Sequence, residues 1–499
     1  MDFDVALEKF KRMQKTLQAY NHAQGMLYYD SVTGAPKGTQ RGLADTMEVL
    51  GEVTYNLSVN DEVFEMLDAL QARADELDPV TRKEVEERAR GVKKLRKVPI
   101  DEYLEAERLS SDAQFAWHEA KEKSDYETFK PCLAKLIETT KRFSGYTDPG
   151  VPVYNALLDQ YERGLTTDEL DAFFALVKEK LVPLIKRIGE APEIDDSFLA
   201  LDYPMALQRK FSDYLMEVLH ISRDNCAIAE TEHPFTINFN KYDVRITTHY
   251  HEDNMASSMY SVIHEGGHAI YELNTGDELY GSPLASGTSM GVHESQSRFF
   301  ENIIGRSKPF VEFIYPKLLE LFPEQLGNVT AEQFYRAVNK CQPSLIRTEA
   351  DELTYPIHIL IRYEIEKRMM QGEVSVDELP ALWNGYYKEY LGVDVPDDKR
   401  GLLQDSHWSG GMFGYFPSYA IGSAYAAQFL ATMRRDMDVF GLVSEGRIDA
   451  IVEYLAERIY KYGKLKTPAE LIESFCGEPF DARYYIDYLT NKFTELYSL

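Results

Sequence analysis

Cysteine, basic residues and long apolar runs are all scarce in this chain of 499 residues. Its four cysteines stand far apart and form no CxxC pair, which is typical of a reducing compartment and not of a disulfide-stabilised secreted protein. Lysine and arginine number 54 against 82 aspartates and glutamates, and the net charge of −28 argues against nucleic acid as a partner. No run approaches the ~18 consecutive apolar residues that a membrane-spanning helix needs, so a membrane is not an expected partner either.

Low-complexity linkers and an apolar leader are also missing. No tract rich in serine, glycine or proline divides the sequence, so residues 1–499 are expected to form a single domain, either as one body or as two helical lobes that flank a groove. The N-terminal sequence MDFDVALEKFKRMQKTL is amphipathic and charged where a signal peptide would carry an apolar core. The sequence therefore predicts a cytoplasmic protein, and its 44% of hydrophobic residues suffice for a large core.

Helical periodicity is present almost everywhere. Apolar residues recur at spacings of three and four, with glutamate, lysine and alanine between them, as in the long stretch 101–143. The expected fold class is mainly α, with a large helical body. Further patterns predict helices over 167–188, 203–219, 331–339, 350–370 and 448–462.

Two segments break this periodicity. HPFTINFNKYDVRITTHY, from His233, alternates β-branched and aromatic residues around NKYD and predicts a β-hairpin. Capping candidates at 252–254 start a helix directly after it, so we expect the hairpin beside that helix. GLLQDSHWSGGMFGYFPSYAIG, from Gly401, is dense in glycine and aromatics and predicts a shaped loop, with a helix resuming after Pro417.

The helix after the hairpin contains SVIHEGGHAIYE, with two histidines four residues apart. On one helix face, His264 and His268 can direct ring nitrogens to a single metal ion. Glu265 is displaced around the helix and can reach a water on that ion without ligating it, as in the HExxH motif. Gly266 and Gly267 each cost a helix about 1 kcal/mol relative to alanine, which predicts a close approach to the backbone there. The competing interpretation is two partly buried histidines beside a surface glutamate.

A hydrolytic zinc site also needs a third protein ligand and an open fourth position. Glu294 is preferred, because GVHESQSRFFEN starts a second helical pattern after a glycine-rich connection long enough to turn the chain back. Its competing interpretation is a solvated carboxylate at a helix start. Glu272, one turn past His268, is too far along the same helix to join both histidines. The spacing alone leaves five candidates open: Glu272, Glu278, His293, Glu294 and Glu301.

The motifs HPF, DVRITT, HEGGHAIYE, HESQSRFFEN, SLIRTEADE and GLLQDSHWSGGMFGYFPSYAIG, in this order, resemble the signatures of the thermostable carboxypeptidase, or carboxypeptidase Taq, family. The segment YYDSVTGAPKGTQRG departs from the family pattern at Tyr29, where a tryptophan is expected. The resemblance implies a homodimeric, cytosolic, mostly helical zinc peptidase with a deep groove, which removes C-terminal residues with broad specificity. It places one zinc ion per chain on His264, His268 and Glu294, and the catalytic glutamate on Glu265.

The aromatic loop supplies candidates for stabilising the oxyanion of the attacked carbonyl. The resemblance favours His407 and Tyr419 as its donors, and Tyr415 in the same loop is a candidate substrate contact. Without the resemblance, His407 is equally a capping or packing histidine, and Tyr419 is one of 33 tyrosines, most of which lie in the core.

A carboxypeptidase must also recognise a free α-carboxylate, which a planar guanidinium does best. Arg347 in SLIRTEADE matches the family's arginine motif; by spacing alone it would form an intrahelical pair with Asp351. His233 matches a family position near the substrate, and its competing interpretation is a turn histidine.

Three further residues are expected to support the metal ligands. Asp243 and Arg245 share one face of the second hairpin strand, where a carboxylate could receive the free N–H of a zinc histidine. The alternative is a surface Asp–Arg pair. Gln296, two residues past Glu294, is expected to orient that ligand.

The leading hypothesis is thus a zinc carboxypeptidase that acts on peptides with a free C-terminus, with Co²⁺ or Mn²⁺ as metals that the same ligands could hold. A zinc oligopeptidase or dipeptidase on a related helical fold would not need Arg347 to meet a carboxylate. A helical scaffold with a structural metal is the third alternative, but a structural site gains nothing from Glu265.

Overall fold

The computed structural model describes the backbone of residues 1–499 and every side chain except those at positions 37, 40 and 41. Helices dominate this described chain, so the prediction of a mainly α fold is confirmed. The first six helices are α1 (Phe3–Thr33), α2 (Gln40–Ser58), α3 (Asp61–Gln71), α4 (Pro79–Arg96), α5 (Ile100–Lys123) and α6 (Tyr126–Thr147).

The middle of the chain holds the only sheet among the described residues, with helices on either side of it in sequence. Preceding it are α7 (Val153–Tyr161), α8 (Thr167–Ile188) and α9 (Met205–Val218). The strands are β1 (Cys226–Glu230), β2 (Thr236–Asn240) and β3 (Asp243–Thr248). Following it are α10 (Met255–Leu273), α11 (Met290–Arg298), a π-helical segment (Phe299–Gly305), α12 (Lys308–Leu321), α13 (Pro323–Leu326) and α14 (Ala331–Val338).

The C-terminal third returns to helices. They are α15 (Tyr355–Gln371), α16 (Leu379–Tyr386), a π-helical segment (Tyr387–Leu391), α17 (Pro417–Asp436), α18 (Val439–Ser444), α19 (Ile448–Arg458), α20 (Pro468–Cys476) and α21 (Arg483–Tyr497). Among the described residues, no helix is long and apolar enough to cross a membrane.

Helix boundaries follow the local capping chemistry. The predicted helix 167–188 is confirmed as α8, whose N-cap Thr166 forms a capping box with Glu169. The predicted helix 350–370 begins only at Tyr355, because the carboxylate of Asp351 accepts two backbone N–H groups and closes a turn first. The stretch 101–143 is divided into α5 and α6 at Ser124, whose φ of 53° ends the first helix.

The hydrophobic core is divided into two clusters. A small one joins Phe10 of α1, Leu67 of α3 and Val85 of α4. The large one extends from Ala113 to Tyr497. Helix α17 is buried around its whole circumference, as befits a central helix. Whether residues 1–499 act as one domain or as two lobes stays a prediction, but the two clusters mark where a division would fall.

The sheet has the order β1–β3–β2 and lies against α10. The predicted hairpin of β2 and β3 is confirmed, whereas β1, which pairs in parallel with β3, was not expected. Alternation along β2 gives its two faces different neighbours. Thr236 and Asn238 contact α10, while the rings of Phe235 and Phe239 contact aromatic side chains of α1.

A groove of about 1280 Å³ separates the N-terminal helices from the main body. Its walls include Tyr55 of α2, Arg88 of α4 and Tyr103 of α5 on one side, and Tyr161 of α7 on the other. The groove reaches His293 on α11. His293 is next to Glu294 in the sequence, so the groove approaches the helix that carries this carboxylate.

Candidate metal and substrate site

Helices α10 and α11 bring the two histidines and one glutamate together. The Nε2 atoms of His264 and His268 lie 3.7 Å and 3.5 Å from Oε2 of Glu294. One ligand atom from each of the three residues lies within 4.8 Å of the others, without further side-chain movement. Of the five candidates that the sequence leaves open, Glu294 is the one whose carboxylate lies near the Nε2 atoms of both histidines.

The glycines of HEGGH serve the packing of these helices. A Cβ atom on Gly267 would lie 2.6 Å from the carbonyl oxygen of Gln296 and 2.7 Å from Cα of Ser297, both on α11. On Gly266 it would meet the side chain of Leu219 at 2.8 Å. The predicted close approach is therefore made by the neighbouring helix, which brings the Glu294 carboxylate within reach of α10.

The donor set fits a divalent metal such as zinc. Two imidazole nitrogens and one carboxylate oxygen converge, which is the ligand type of catalytic zinc sites. The carboxylate of Glu294 also accepts hydrogen bonds from Nε of Arg298 (2.7 Å) and Oγ of Ser297 (3.0 Å). Burial by itself would raise the pKa of Glu294, but Arg298 and His264 lower it well below its usual range. Glu294 is therefore an anion, as a metal ligand must be.

Each histidine is oriented from behind by a different partner. Nδ1 of His264 lies 2.8 Å from Oε2 of Glu301, which stands in the π-helical segment after α11. Nδ1 of His268 lies 2.5 Å from Nδ1 of His293, whose Nε2 lies 2.6 Å from Glu272. Glu301 and His293 thus each contact one of the two histidines through Nδ1, and Glu272 contacts His293.

Asp243 and Gln296 do not take the supporting roles expected of them. Both carboxylate oxygens of Asp243 accept hydrogen bonds from Arg245 at 2.9 Å, so the alternative Asp–Arg pair is what the structure contains. The Arg245 guanidinium in turn lies over the ring of Tyr29 on α1, 4.9 Å from its centroid. Oε1 of Gln296 accepts from Tyr460, and Glu294 is oriented by its own helical neighbours, because the Gln296 side chain leaves the helix on another face.

Glu265 is buried and points to the β2 strand. Its Oε2 accepts a hydrogen bond of 2.6 Å from Oγ1 of Thr236. Burial raises the pKa of Glu265. A buried carboxyl group with a raised pKa beside His264 and His268 is suited to accept and return a proton.

Arg347 forms a second centre with Asp405. It stands in a short 3₁₀ turn, and its Nε and Nη2 atoms lie 3.0 Å and 2.9 Å from Oδ1 of Asp405, while Nη1 donates to the hydroxyl of Tyr355. Arg362 binds Oδ2 of the same carboxylate. The expected pair of Arg347 with Asp351 is wrong, because the Asp351 carboxylate is bound by backbone N–H groups.

The aromatic loop lies next to Arg347. Nε2 of His407 is 3.3 Å from the hydroxyl of Tyr419, and the Arg347 guanidinium lies 4.9 Å from the centroid of the Tyr419 ring. The Tyr415 and Tyr419 rings are in edge contact at 5.3 Å. Burial lowers the pKa of His407 to about 4, so the ring is neutral at neutral pH. The structure therefore groups His407, Tyr415 and Tyr419 around Arg347.

His233 is placed differently from the other candidates. Its side chain is exposed at the entry to β2, and its carbonyl oxygen accepts a hydrogen bond from Thr231. Within the described chain its ring makes no hydrogen bond to the residues of the site. A turn histidine, the competing interpretation, describes this position.

Comparison with known proteins identifies the family. A profile described as "Carboxypeptidase Taq (M32) metallopeptidase" matches residues 9–493. The chain belongs to this family. Carboxypeptidase 1 of Bacillus subtilis (strain 168) is 42% identical, and the alignment covers 100% of both chains. Thermostable carboxypeptidase 1 of Thermus thermophilus is 36% identical over 94% of each chain. The crystal structure of an M32 carboxypeptidase from Deinococcus radiodurans R1 superposes with a TM-score of 0.96 at 30% identity, covering 99% of this chain and 100% of that one.

These relatives decide the class of activity. A family match over nearly the whole chain, with full-length relatives above 30% identity, makes this M32 chain a metallocarboxypeptidase that hydrolyses the C-terminal peptide bond of peptides. Its family also requires a metal ion, and the His264, His268 and Glu294 group is a site where the described residues could hold one.

Proposed function

We propose that this M32 carboxypeptidase binds one zinc ion per chain through His264, His268 and Glu294. The observation that carries the proposal is the convergence of two Nε2 atoms and one ionised carboxylate oxygen within 4.8 Å. Held by these residues, zinc would supply a Lewis acid for the peptide carbonyl and for the attacking water. Co²⁺ or Mn²⁺ could replace zinc on the same ligands.

Glu265 acts as the general base in this proposal. Its carboxylate accepts the proton of the attacking water and delivers it to the nitrogen of the leaving amino acid. The hydrogen bond from Thr236 fixes one carboxylate oxygen, so the other stays directed to the substrate side. The raised pKa of Glu265 makes its carboxylate a stronger base than a solvent-exposed glutamate.

His407 and Tyr419 supply hydrogen-bond donors to the carbonyl oxygen of the scissile bond. The Tyr419 hydroxyl can donate, and the neutral imidazole of His407 can donate from one nitrogen. Tyr415 packs against both rings and contacts the substrate. His233 at the entry to β2 is proposed as an outer substrate contact.

Arg347 binds the substrate's terminal carboxylate. Its guanidinium has five N–H groups, of which Nε–H and one Nη2–H face Asp405 and one Nη1–H faces Tyr355. One N–H therefore remains on each terminal nitrogen for the substrate's carboxylate. Asp405 and Tyr355 hold the guanidinium so that this edge stays in place.

The test uses one unblocked peptide about ten residues long and its C-terminal amide. Mass spectrometry should show sequential loss of residues from the C-terminus of the acid. The amide lacks a charge-assisted pair worth about 1.5–3 kcal/mol, so its kcat/KM should be roughly ten to a hundred times lower. Arg347→Ala should abolish this difference, and Arg347→Lys should restore only part of it. Equal cleavage of acid and amide by the unmutated chain would contradict the role of Arg347 and favour internal or dipeptide cleavage.

Assembly and location are part of the proposal as well. We propose a homodimer in the cytoplasm, on the family resemblance and on the four cysteines, all of which are free thiols in the described structure. Sedimentation of the purified chain tests the dimer.

A further inference from the structure

The two histidines of the proposed metal site are supported in unlike ways. His264 meets the carboxylate of Glu301 directly, at 2.8 Å. His268 meets another histidine, His293, at 2.5 Å, and the carboxylate of Glu272 comes only after that ring. This second arrangement has no counterpart in the sequence reasoning, where His293 and Glu272 were candidate ligands.

The positions of the protons along the hydrogen-bonded series His268–His293–Glu272 follow from the role of the His268 Nε2 atom. If Nε2 of His268 is to bind a metal, the proton of the neutral ring must be on Nδ1, which then donates to Nδ1 of His293. Nδ1 of His293 must therefore carry the lone pair, and its proton must be on Nε2. That N–H donates to Oε1 of Glu272, 2.6 Å away.

Glu272 is built to accept this hydrogen bond. The residue is 2% exposed, and donors surround both of its oxygens. Oε1 also accepts from Ser286 Oγ (2.8 Å) and the Gly287 N–H (3.2 Å), and Oε2 accepts from Asn238 Nδ2 (2.6 Å). Since each of these partners can donate, the carboxylate stays an acceptor and keeps the proton of His293 on Nε2.

The position of the His293 ring is also fixed. It stacks on Tyr271 with ring centroids 5.4 Å apart and an angle of 26° between the planes. A Cβ atom on Gly287 would lie 2.5 Å from Cδ2 of His293, so the absence of a side chain there leaves room for the ring. The imidazole is thus held between α10 and the connection to α11 with its two nitrogens in line with His268 and Glu272.

We propose that His293 and Glu272 are positioning residues for His268: together they fix its Nδ1–H tautomer and turn its Nε2 lone pair toward the metal. This inference rests on the proposed metal site. It makes His268 a ligand whose basicity is supported by a carboxylate acting through a second imidazole. Partners of this kind change metal affinity by about 10–100-fold when they are removed.

The experiment measures zinc affinity by competition with a chelating dye, and the visible absorption spectrum of the Co²⁺-loaded chain. His293→Phe keeps a ring on Tyr271 but removes both nitrogens, so its zinc dissociation constant should rise about 10–100-fold. Glu272→Gln should raise it about tenfold. The double variant should bind no more weakly than His293→Phe alone, because Glu272 acts on the metal only through His293.

Two further variants separate positioning from a merely structural role. His293→Asn places an amide oxygen near the position of Nδ1, so it should recover part of the zinc affinity and be insensitive to Glu272→Gln. Glu278→Gln removes an exposed carboxylate from the same connection and should leave affinity and spectrum unchanged. Thermal unfolding of the metal-free chains shows whether each variant folds. If His293→Phe does not fold, Glu272→Gln, which changes one atom, tests the inference.

The inference and the proposed metal site fail in distinguishable ways. If the unmutated chain binds no zinc, or if His264→Ala binds it as well as the unmutated chain, the site itself is wrong. If the unmutated chain binds one zinc ion and His293→Phe does so with the same dissociation constant and the same Co²⁺ spectrum, the positioning role of His293 is overturned. Additive losses in the double variant would overturn the transmission from Glu272 through His293.

Discussion

The site has two sides that are built in opposite ways. The metal side consists of the proposed ligands and Glu265, and the recognition side consists of Arg347, Asp405 and the aromatic loop. The proposed ligands lie on two regular helices, α10 and α11, within 31 consecutive positions, 264–294. Arg347, Asp405 and His407 lie in short turns and in the loop before α17, and the paired Arg347 and Asp405 are 58 positions apart. Regular helices fix side chains by periodicity, whereas irregular backbone needs buried ion pairs to fix them. The two sides should therefore fail differently when they are mutated.

The largest expected effect is on the metal side. His264→Ala should lose metal and activity together, because it removes one of three ligands. Glu265→Gln should retain stoichiometric metal and lose at least ~100-fold in kcat, because it spares the ligands and removes the base. Metal analysis and peptide hydrolysis on the same preparations separate the two outcomes. Substantial activity in Glu265→Gln would refute its role as the base.

The HEGGH residues of the metal side could be predicted from the sequence because their arrangement depends on helical spacing. HEGGH predicts His264, His268 and Glu265 by spacing, whereas spacing left Glu294 as one of five candidates and the family resemblance selected it. The partners behind the histidines could not be assigned, because contact across two helices depends on how they pack. A usable signal was nevertheless present, since Glu272 and Glu301 stand four and seven residues past a ligand, on helical faces next to it.

On the recognition side, the largest effect is expected from removal of the Asp405 carboxylate, which Arg347 and Arg362 share. Asp405→Asn leaves Arg347 and Arg362 as two buried guanidinium groups without an anion between them. Breaking a buried ion pair costs about 3–5 kcal/mol of unfolding free energy, and we expect that loss together with weaker discrimination between acid and amide peptides. Urea unfolding and the two-peptide assay measure both.

The control is a carboxylate of the same region on the surface. Asp397 pairs with Arg400 where both side chains are exposed to solvent, 31% and 53% respectively. Asp397→Asn should change the unfolding free energy by less than about 1 kcal/mol and leave discrimination intact. If Asp405→Asn and Asp397→Asn lose the same unfolding free energy, the buried ion pairs of Asp405 do not stabilise the recognition side.

On the recognition side, local spacing predicts the wrong partner where the true partner is distant in sequence. Spacing favoured Arg347 with Asp351, four residues away, but the arginine is not in an α-helix and its carboxylate partner is 58 positions further on. Such pairings are set by tertiary packing, which a local pattern does not encode. Family resemblance supplied Arg347, His407 and Tyr419. Spacing alone would have left Arg347 in a pair with Asp351, His407 as a capping or packing histidine and Tyr419 as a core tyrosine.

His407 gives the recognition side a pH dependence of stability. Its pKa of about 4 in the folded chain lies below the ordinary value near 6.5, so its contribution is present above pH 6.5 and is lost as pH falls through 4. Between pH 7 and pH 5 the loss should be about 2 kcal/mol. Urea unfolding of the metal-free chain, compared with His407→Gln, should show this extra loss only in the unmutated protein. A constant difference between the two at both pH values would place His407 in a more solvated setting.

The smallest expected effect concerns the electrostatic field of the whole chain, in which the substrate is bound. Arg347 and Arg362 share one carboxylate, so this centre has one net positive charge to offer the substrate's α-carboxylate. An acidic C-terminal side chain adds a second anion against a chain of net charge −28. Peptides ending in Glu should therefore show a KM roughly two to five times that of peptides ending in Gln at about 10 mM salt, where the screening length is about 30 Å. The ratio should approach one near 1 M salt, where that length is about 3 Å, because Gln has the same shape and lacks only the charge. A ratio that does not change with salt would mean that a local contact, and not the field of the whole chain, discriminates between the two side chains.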